Sequence, residues 1–269
     1  MKKIKLLIFC LLALNTLKSQ TVTEIITDRP DATESAFTIP VYKLQIEGGF
    51  EYSRNKETVE YLLNSTQERS DINIKTPTLL LRYGLNDITE LRAGIEYITN
   101  KVEYSKSPDI NSNSGDFQNL TIGAKFKIGE AKGWIPESAV IVEGGFPLLV
   151  SKTSKSIIPS IVFCFENELS DRLSLTYNLG AEGEGEDGSA NLLYTISLGA
   201  DISKNVGVFV ENFGQRNIQL NNVPVSYIDG GLSFLAKNNL QFDVYGGTRI
   251  NKNTNEFFVG AGVSYRIPN

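Results

Sequence analysis

The sequence predicts an all-β fold: an antiparallel transmembrane β-barrel of about 12 strands, with short periplasmic turns and longer extracellular loops. Three observations carry this reading. After residue 40, segments of about ten residues alternate apolar with polar or charged side chains down to the end of the chain. The connections between those segments alternate between short turns and mostly longer, more polar loops. A secretory leader precedes them.

Residues 1–20 read as a signal peptide. Lys2, Lys3 and Lys5 form a positive n-region, Ile4 to Leu14 are almost all apolar, and Ser19 and Gln20 mark the cleavage region. Cys10 lies inside the apolar run behind Ile8 and bulky Phe9, where a lipidation motif would carry small residues. Once the leader is removed only Cys164 remains, and it reads as a small strand side chain. Residues 21–40 then form a periplasmic N-terminal segment and 41–269 the barrel. Hydrophobic content is 41% over 269 residues. No apolar run after residue 20 approaches the roughly 18 residues of a transmembrane helix, which excludes a helical membrane protein. A net charge of −5 argues against nucleic acid as a partner, since that would need a basic surface.

Strands are expected at 42–53, 74–84, 88–99, 117–128, 136–146, 158–168, 172–182, 190–202, 205–213, 224–235, 239–250 and 255–267. Short turns join them at 85–87, 129–133, 170–171, 204–205 and 237–239, all in turn-forming chemistry. Longer loops are expected at 54–73, 100–116, 183–189 and 214–223. The even strand number places both termini on the periplasmic side. Pro40, Pro136, Pro159, Pro224 and Pro268 fall at strand ends or just outside, where the ladder spares a donor, and Pro77 is read as the frayed or extramembrane start of its strand. Aromatics near strand ends, such as Tyr83, Tyr97, Trp134 and Tyr265, suit interfacial girdles. Paired glycines recur in Glu47-Gly48-Gly49-Phe50 and Glu143-Gly144-Gly145-Phe146, implying close approach of bulky neighbours or tight bending of the sheet.

Period two assigns the faces. Phe257, Val259, Ala261, Val263, Tyr265 and Ile267 oppose Glu256, Gly260, Gly262, Ser264 and Arg266, and the other strands split the same way. A lysine or arginine on the lipid face at the bilayer midplane costs about 2–4 kcal/mol, so the ionic face must be the lumen. That face carries Glu47, Glu51, Arg82, Glu90, Arg92, Glu96, Lys125, Lys127 and Glu143 in the first half of the barrel. In the second half it carries Glu166, Glu168, Arg172, Asp201, Glu211, Asp229, Asp243, Arg249, Glu256 and Arg266. The carboxylates outnumber the bases, so an open pore would prefer cations.

The missing chemistry narrows the function. There is no histidine, which removes Ser–His and Cys–His nucleophiles and the commonest metal ligand. Glu166 and Glu168 share one strand face in a pattern that a glycosidase pair could use, but alternate charges read better as a lumen wall. The acidic stretch 182–188 lacks the ordered ligand spacing of a calcium-binding EF-hand and reads as a solvated loop. No catalytic residue, metal or cofactor is expected.

The string Asp28-Arg29-Pro30-Asp31 with Thr33-Glu34-Ser35, then Ile39-Pro40 and Leu44-Gln45-Ile46-Glu47-Gly48-Gly49-Phe50, resembles the start of the bacterial outer-membrane family named for a MetA pathway of phenol degradation. The resemblance implies a single outer-membrane barrel of transporter type, passing small hydrophobic or aromatic compounds, with no established catalytic residues. Many outer-membrane barrels end in an aromatic residue, and here Tyr265 stands in for it ahead of Ile267-Pro268-Asn269. The expected function is a channel or transporter in the outer membrane of a Gram-negative bacterium. Its expected partners are outer-membrane lipid, the outer-membrane assembly machinery and a small-molecule solute. The alternative is a barrel with a side-chain-filled lumen that conducts nothing, since about twelve strands fall between filled and open barrels. The charged motif Asp28, Arg29, Asp31 and Glu34 is expected to dock at the periplasmic mouth near Arg82, Arg92 and Arg172. A frayed tail is the alternative.

Overall fold

The structure is a computed structural model that describes residues 24–61, 65–148, 156–184, 189–219, 224–250 and 255–268. The leader and residues 185–188 of the acidic stretch lie outside the described residues. The strands are β1 (Leu44–Tyr61), β2 (Ser65–Asn86), β3 (Thr89–Tyr104), β4 (Ser112–Phe117), β5 (Leu120–Gly129), β6 (Glu137–Phe146) and β7 (Ile158–Ser170). They continue as β8 (Leu173–Gly183), β9 (Ala190–Asp201), β10 (Val206–Asn217), β11 (Val225–Lys237), β12 (Leu240–Arg249) and β13 (Asn255–Arg266). Neighbours pair antiparallel, and β1 closes the ring on β13 from Gln45 opposite Arg266 to Lys56 opposite Asn255. The ring is a closed 12-strand barrel. β4 lies outside that count: it pairs with Tyr97–Val102 of β3, while β5 takes Thr89–Gly94. Closure leaves the ring without an open edge, so its backbone polar groups are satisfied by neighbours rather than by water.

The burial pattern inverts that of a soluble protein. Leu91, Ile122, Val142, Phe163, Leu232 and Val259 are exposed on the outer face, whereas Gln45, Glu47, Arg82, Glu90, Lys125 and Glu211 are fully buried in the lumen. An apolar belt outside and a polar interior is the arrangement a bilayer solvent selects.

A tilted strand needs about 9–11 residues to cross a bilayer. β5, β6 and β12, with 10 residues each, match that span. β1 and β2 run to 18 and 22 residues and overshoot it. The stretches 54–73 and 100–116, expected as loops, are therefore largely strand: the β1–β2 hairpin continues past the barrel, and β3 extends to meet β4. Their polar composition masked the strand signal because an extension beyond the membrane needs no greasy face. It carries Lys56–Glu68 and Arg69–Glu57 ion pairs across the strands at 2.8 and 3.0 Å. Pro77 is also placed differently, inside β2 rather than at its start. It falls in a bulge between Lys75 and Thr78, where the ladder with β1 and β3 is interrupted and no donor is required. Trp134 sits almost fully exposed in the turn between β5 and β6.

Candidate functional site

Residues 24–43 do not trail from the barrel but run up into it and back. Gln45 Nε2 donates to Ile26 O at 2.7 Å near the short-turn rim, and Arg29 reaches Asp243 on β12, two strands round the ring from β1, at 3.0 Å. At the apex, Ala32 N–H donates to Glu211 at 2.8 Å and Thr33 Oγ1 donates to the same carboxylate. Glu34 and Asn178 exchange two hydrogen bonds, at 2.7 and 3.0 Å. The chain then descends, with Ile39 N–H donating to Glu90 at 3.0 Å, and Val41 pairs with Gly84 just before β1 begins. On the way down Ala36 packs on a small apolar patch of the lumen wall formed by Ala139, Ile141 and Cys164.

The lower half of this path is an ionic network. Asp28 is contacted by Lys125 at 2.9 Å, by Arg82 at 3.2 Å and by Arg92, and its own N–H donates to Glu47. Arg82 also binds Glu90 at 2.7 Å and Glu47 at 2.9 Å, while Arg92 binds Glu34 at 2.9 Å and Glu143 at 2.7 Å. Burial opposes the charge on Asp28, but Arg82, Lys125 and Arg92 outweigh it and hold its carboxyl well below the usual carboxylate range. Each hydrogen bond to a charged partner contributes about 1.5–3 kcal/mol, and removing one member of a buried pair costs about 3–5 kcal/mol because it strands the other.

Glycine makes room for Arg29. A Cβ on Gly49 would come within 2.7 Å of the Arg29 guanidinium, and one on Gly262 would collide with it outright. Gly49 on β1 and Gly262 on β13 thus form a slot for a side chain that arrives from the segment inside.

Among the described residues, cavities lie along the segment and on both sides of its apex. One of about 390 Å³ opens toward the short turns and is lined by Glu166, Glu168, Arg172 and Asp201, with Pro30 and Asp31 above. One of about 420 Å³ lies beside the segment against Glu96, Thr121, Glu143 and Glu182. The third, about 610 Å³, is a vestibule on the long-loop side, lined by Glu51, Lys75, Asp229 and Glu256, with Pro30 and Asp31 now forming its floor. Pro30 and Asp31 border the cavities on both sides of the constriction.

Residues 27–267 match the family described as "Putative MetA-pathway of phenol degradation". The chain belongs to this family. No curated protein matches it. Among solved structures, the COG4313 outer membrane channel from Pseudomonas putida F1 is similar at TM-score 0.62 and 12% identity, over 90% of this chain and 100% of that one. The translocator domain of the autotransporter NalP from Neisseria meningitidis follows at 0.54 and 12%, over 85% of this chain and 90% of that one. The transport unit of the autotransporter AIDA-I from Escherichia coli reaches 0.51 and 8%, over 94% and 97%. At these identities the likeness is one of barrel fold.

In this member of the MetA-pathway family the remaining charged positions separate by height. Arg266 is buried low in the lumen, and Lys127 pairs with Glu137 at 3.0 Å at the short-turn end. Arg249 and Glu256 pair at 3.5 Å near the long-loop end, and Glu51 pairs with Lys75 at 3.0 Å. Arg172 stands exposed in the lower cavity, which Asp31 also lines, and forms no ion pair with the segment; the third base on the segment's carboxylates, beside Arg82 and Arg92, is Lys125. Sequence reading also passed over an aromatic wall. Phe213 and Tyr227 stack at 5.1 Å, Phe258 meets both edge-on at 6.1 Å, and Tyr245 lies 6.2 Å from Phe258. The available signal was parity: Tyr245 and Phe258 sit on the polar face of their strands, opposite Gly260 and Gly247 respectively, so each ring covers a missing side chain.

Proposed function

We propose that this chain is an outer-membrane channel for small hydrophobic or aromatic solutes, held shut by its own N-terminal segment. The observation that carries the reading is the apex at Pro30 and Asp31, a thin partition between a cavity open to the short-turn side and the vestibule. Displacing residues 28–34 by a few ångströms would join the two. The lower ring of charges then acts as a latch, because Asp28 and Arg29 engage different parts of the wall, β2, β3 and β5 for one and β12 for the other. The outer apolar belt and the leader support residence in the outer membrane of a Gram-negative bacterium. The family and the aromatic wall support the solute class.

The test is planar-bilayer conductance of refolded protein. Full-length barrels should stay mostly closed, and barrels lacking residues 24–35 should conduct at least tenfold more. The extent of pairing in the lower lumen favours one rival, a braced barrel that conducts nothing. Silence of both proteins, with intact heat-dependent migration on SDS gels, would establish that rival.

A further inference from the structure

We infer that the vestibule is a binding site for a small organic cation, with a carboxylate floor for the cationic nitrogen and an aromatic wall for its apolar body. The inference rests on the channel reading for its purpose, since it names the solute class, but its geometry stands separately. β10 and β11 place Glu211 directly opposite Asp229 and, one same-face step higher, Phe213 opposite Tyr227. That step is about 7 Å, so a carboxylate rung lies immediately below an aromatic rung. Asp31 completes the floor from the apex, beside the Ala32 N–H that Glu211 accepts.

What distinguishes this floor from the rest of the lumen is the absence of a counter-ion. Elsewhere in the vestibule Glu51 has Lys75, Glu256 has Arg249 and Arg29 has Asp243. Among the described residues no lysine or arginine comes within ion-pair distance of Asp31, Glu211 or Asp229. Asp229 is 6% exposed, lines the cavity and faces the Glu211 carboxyl, with which it shares a hydrogen bond, while its Oδ1 is shielded from solvent and meets no donor. A buried acceptor left open in this way costs free energy until a donor or cation reaches it. Burial, then the neighbouring Glu211 carboxylate, pushes Asp31 up to about 8, the response of a carboxyl that lacks a cation.

The chemistry above the floor narrows the class of ligand. No group of three ligating side chains among the described residues is arranged to hold a metal ion. Phe213, Tyr227 and Phe258 instead offer π faces and edges that attract alkylammonium groups and aryl bodies, at about 0.5–2 kcal/mol per cation–π contact, whereas Tyr245 already carries the Arg29 guanidinium 5.9 Å from its ring centroid. The Tyr227 and Tyr245 hydroxyls are already committed to Glu256 and Glu51, each at 3.0 Å, so the wall presents carbon to the cavity. An anionic solute would meet carboxylates at the floor. A neutral arene would leave Asp229 as it is.

The experiment is isothermal titration calorimetry of the full chain in detergent micelles with benzyltrimethylammonium, benzyl alcohol and benzenesulfonate. The quaternary cation should bind at least tenfold more tightly than the neutral and anionic probes. Asp229→Asn should weaken it about tenfold and Phe213→Ala several-fold, whereas Glu57→Gln on the outer hairpin should leave it unchanged. Equal binding of benzyl alcohol to the unaltered protein, which needs no variant to fold, overturns the inference, as does full affinity in a folded Asp229→Asn protein. Conductance of the same preparations separates the two readings. A barrel that conducts without preferring the cation loses this site and keeps the channel, and one that binds the cation without conducting does the reverse.

Discussion

The lower and upper halves of this lumen are built from the same alternating strands, yet they solve opposite problems. In the lower half Asp28, Glu34, Glu47, Glu90 and Glu143 meet Arg82, Arg92 and Lys125, and each charge has a partner within hydrogen-bond distance. In the upper half the chain spends aromatic side chains on the wall and leaves Asp31, Glu211 and Asp229 without a base. The difference teaches that a polar lumen is not one environment. Paired charges hold a segment in place, and unpaired ones wait for something that is not part of the chain.

The largest way to break the comparison is at its lower centre. Arg82→Ala would leave Glu47 without a base and take one of several bases from Asp28 and Glu90, which keep Arg92, a loss of about 3–5 kcal/mol. It should lower the temperature at which the folded gel band converts to the unfolded one, and it should open the channel. Arg82→Lys should recover only part of this, because one ammonium cannot replace a guanidinium that spans three carboxylates.

A smaller effect comes from the glycine slot that holds Arg29. Arg29→Ala removes the Asp243 pair, and Gly262→Ala should mimic it by expelling the guanidinium with no charge altered. Both should raise conductance several-fold while leaving the gel transition within a few degrees. A silent Gly262→Ala barrel would show that the Arg29 contact does not hold the segment.

The smallest effect is a dependence on pH. Asp31 is pushed up to about 8 by burial and by Glu211, so the docked segment holds its proton more tightly than the released one, whose value is the ordinary 3.8. Docking is therefore undiminished in acid and weakens as pH rises from about 4 through 8. Asp28 runs the other way: its carboxyl is held low, so its contribution persists through neutral pH and is lost only in strong acid. Open probability should rise modestly between pH 6 and pH 9. Asp31→Asn should remove part of that rise, and Glu34, the segment's other carboxyl that burial pushes up to about 8, supplies more of it. Lys56→Ala, on the outer hairpin, should change none of these readouts.

How much of this was legible beforehand depended on how local the cause was. Period two along β13, from Phe257 to Tyr265, determined that the strands have one greasy and one ionic face, and the ring of outward apolar residues follows from that rule alone. The alternation of short and long connections likewise determined which ends of the strands lie together. Polar strand extensions such as 54–61 escaped because the rule that reveals a strand, one apolar face, is needed only where there is lipid. Phe258 and Tyr245 broke the alternation, and only the register that set them opposite Gly247 and Gly260 turned two exceptions into a wall. The pairing of charges was further out of reach. Asp28 meets Lys125 across 97 residues and Arg29 meets Asp243 across 214. No local pattern selects one base from several of like spacing. Closing the barrel fixes which strands face each other across the lumen, and that choice, made by the tertiary structure, decides which charges are satisfied and which are left open.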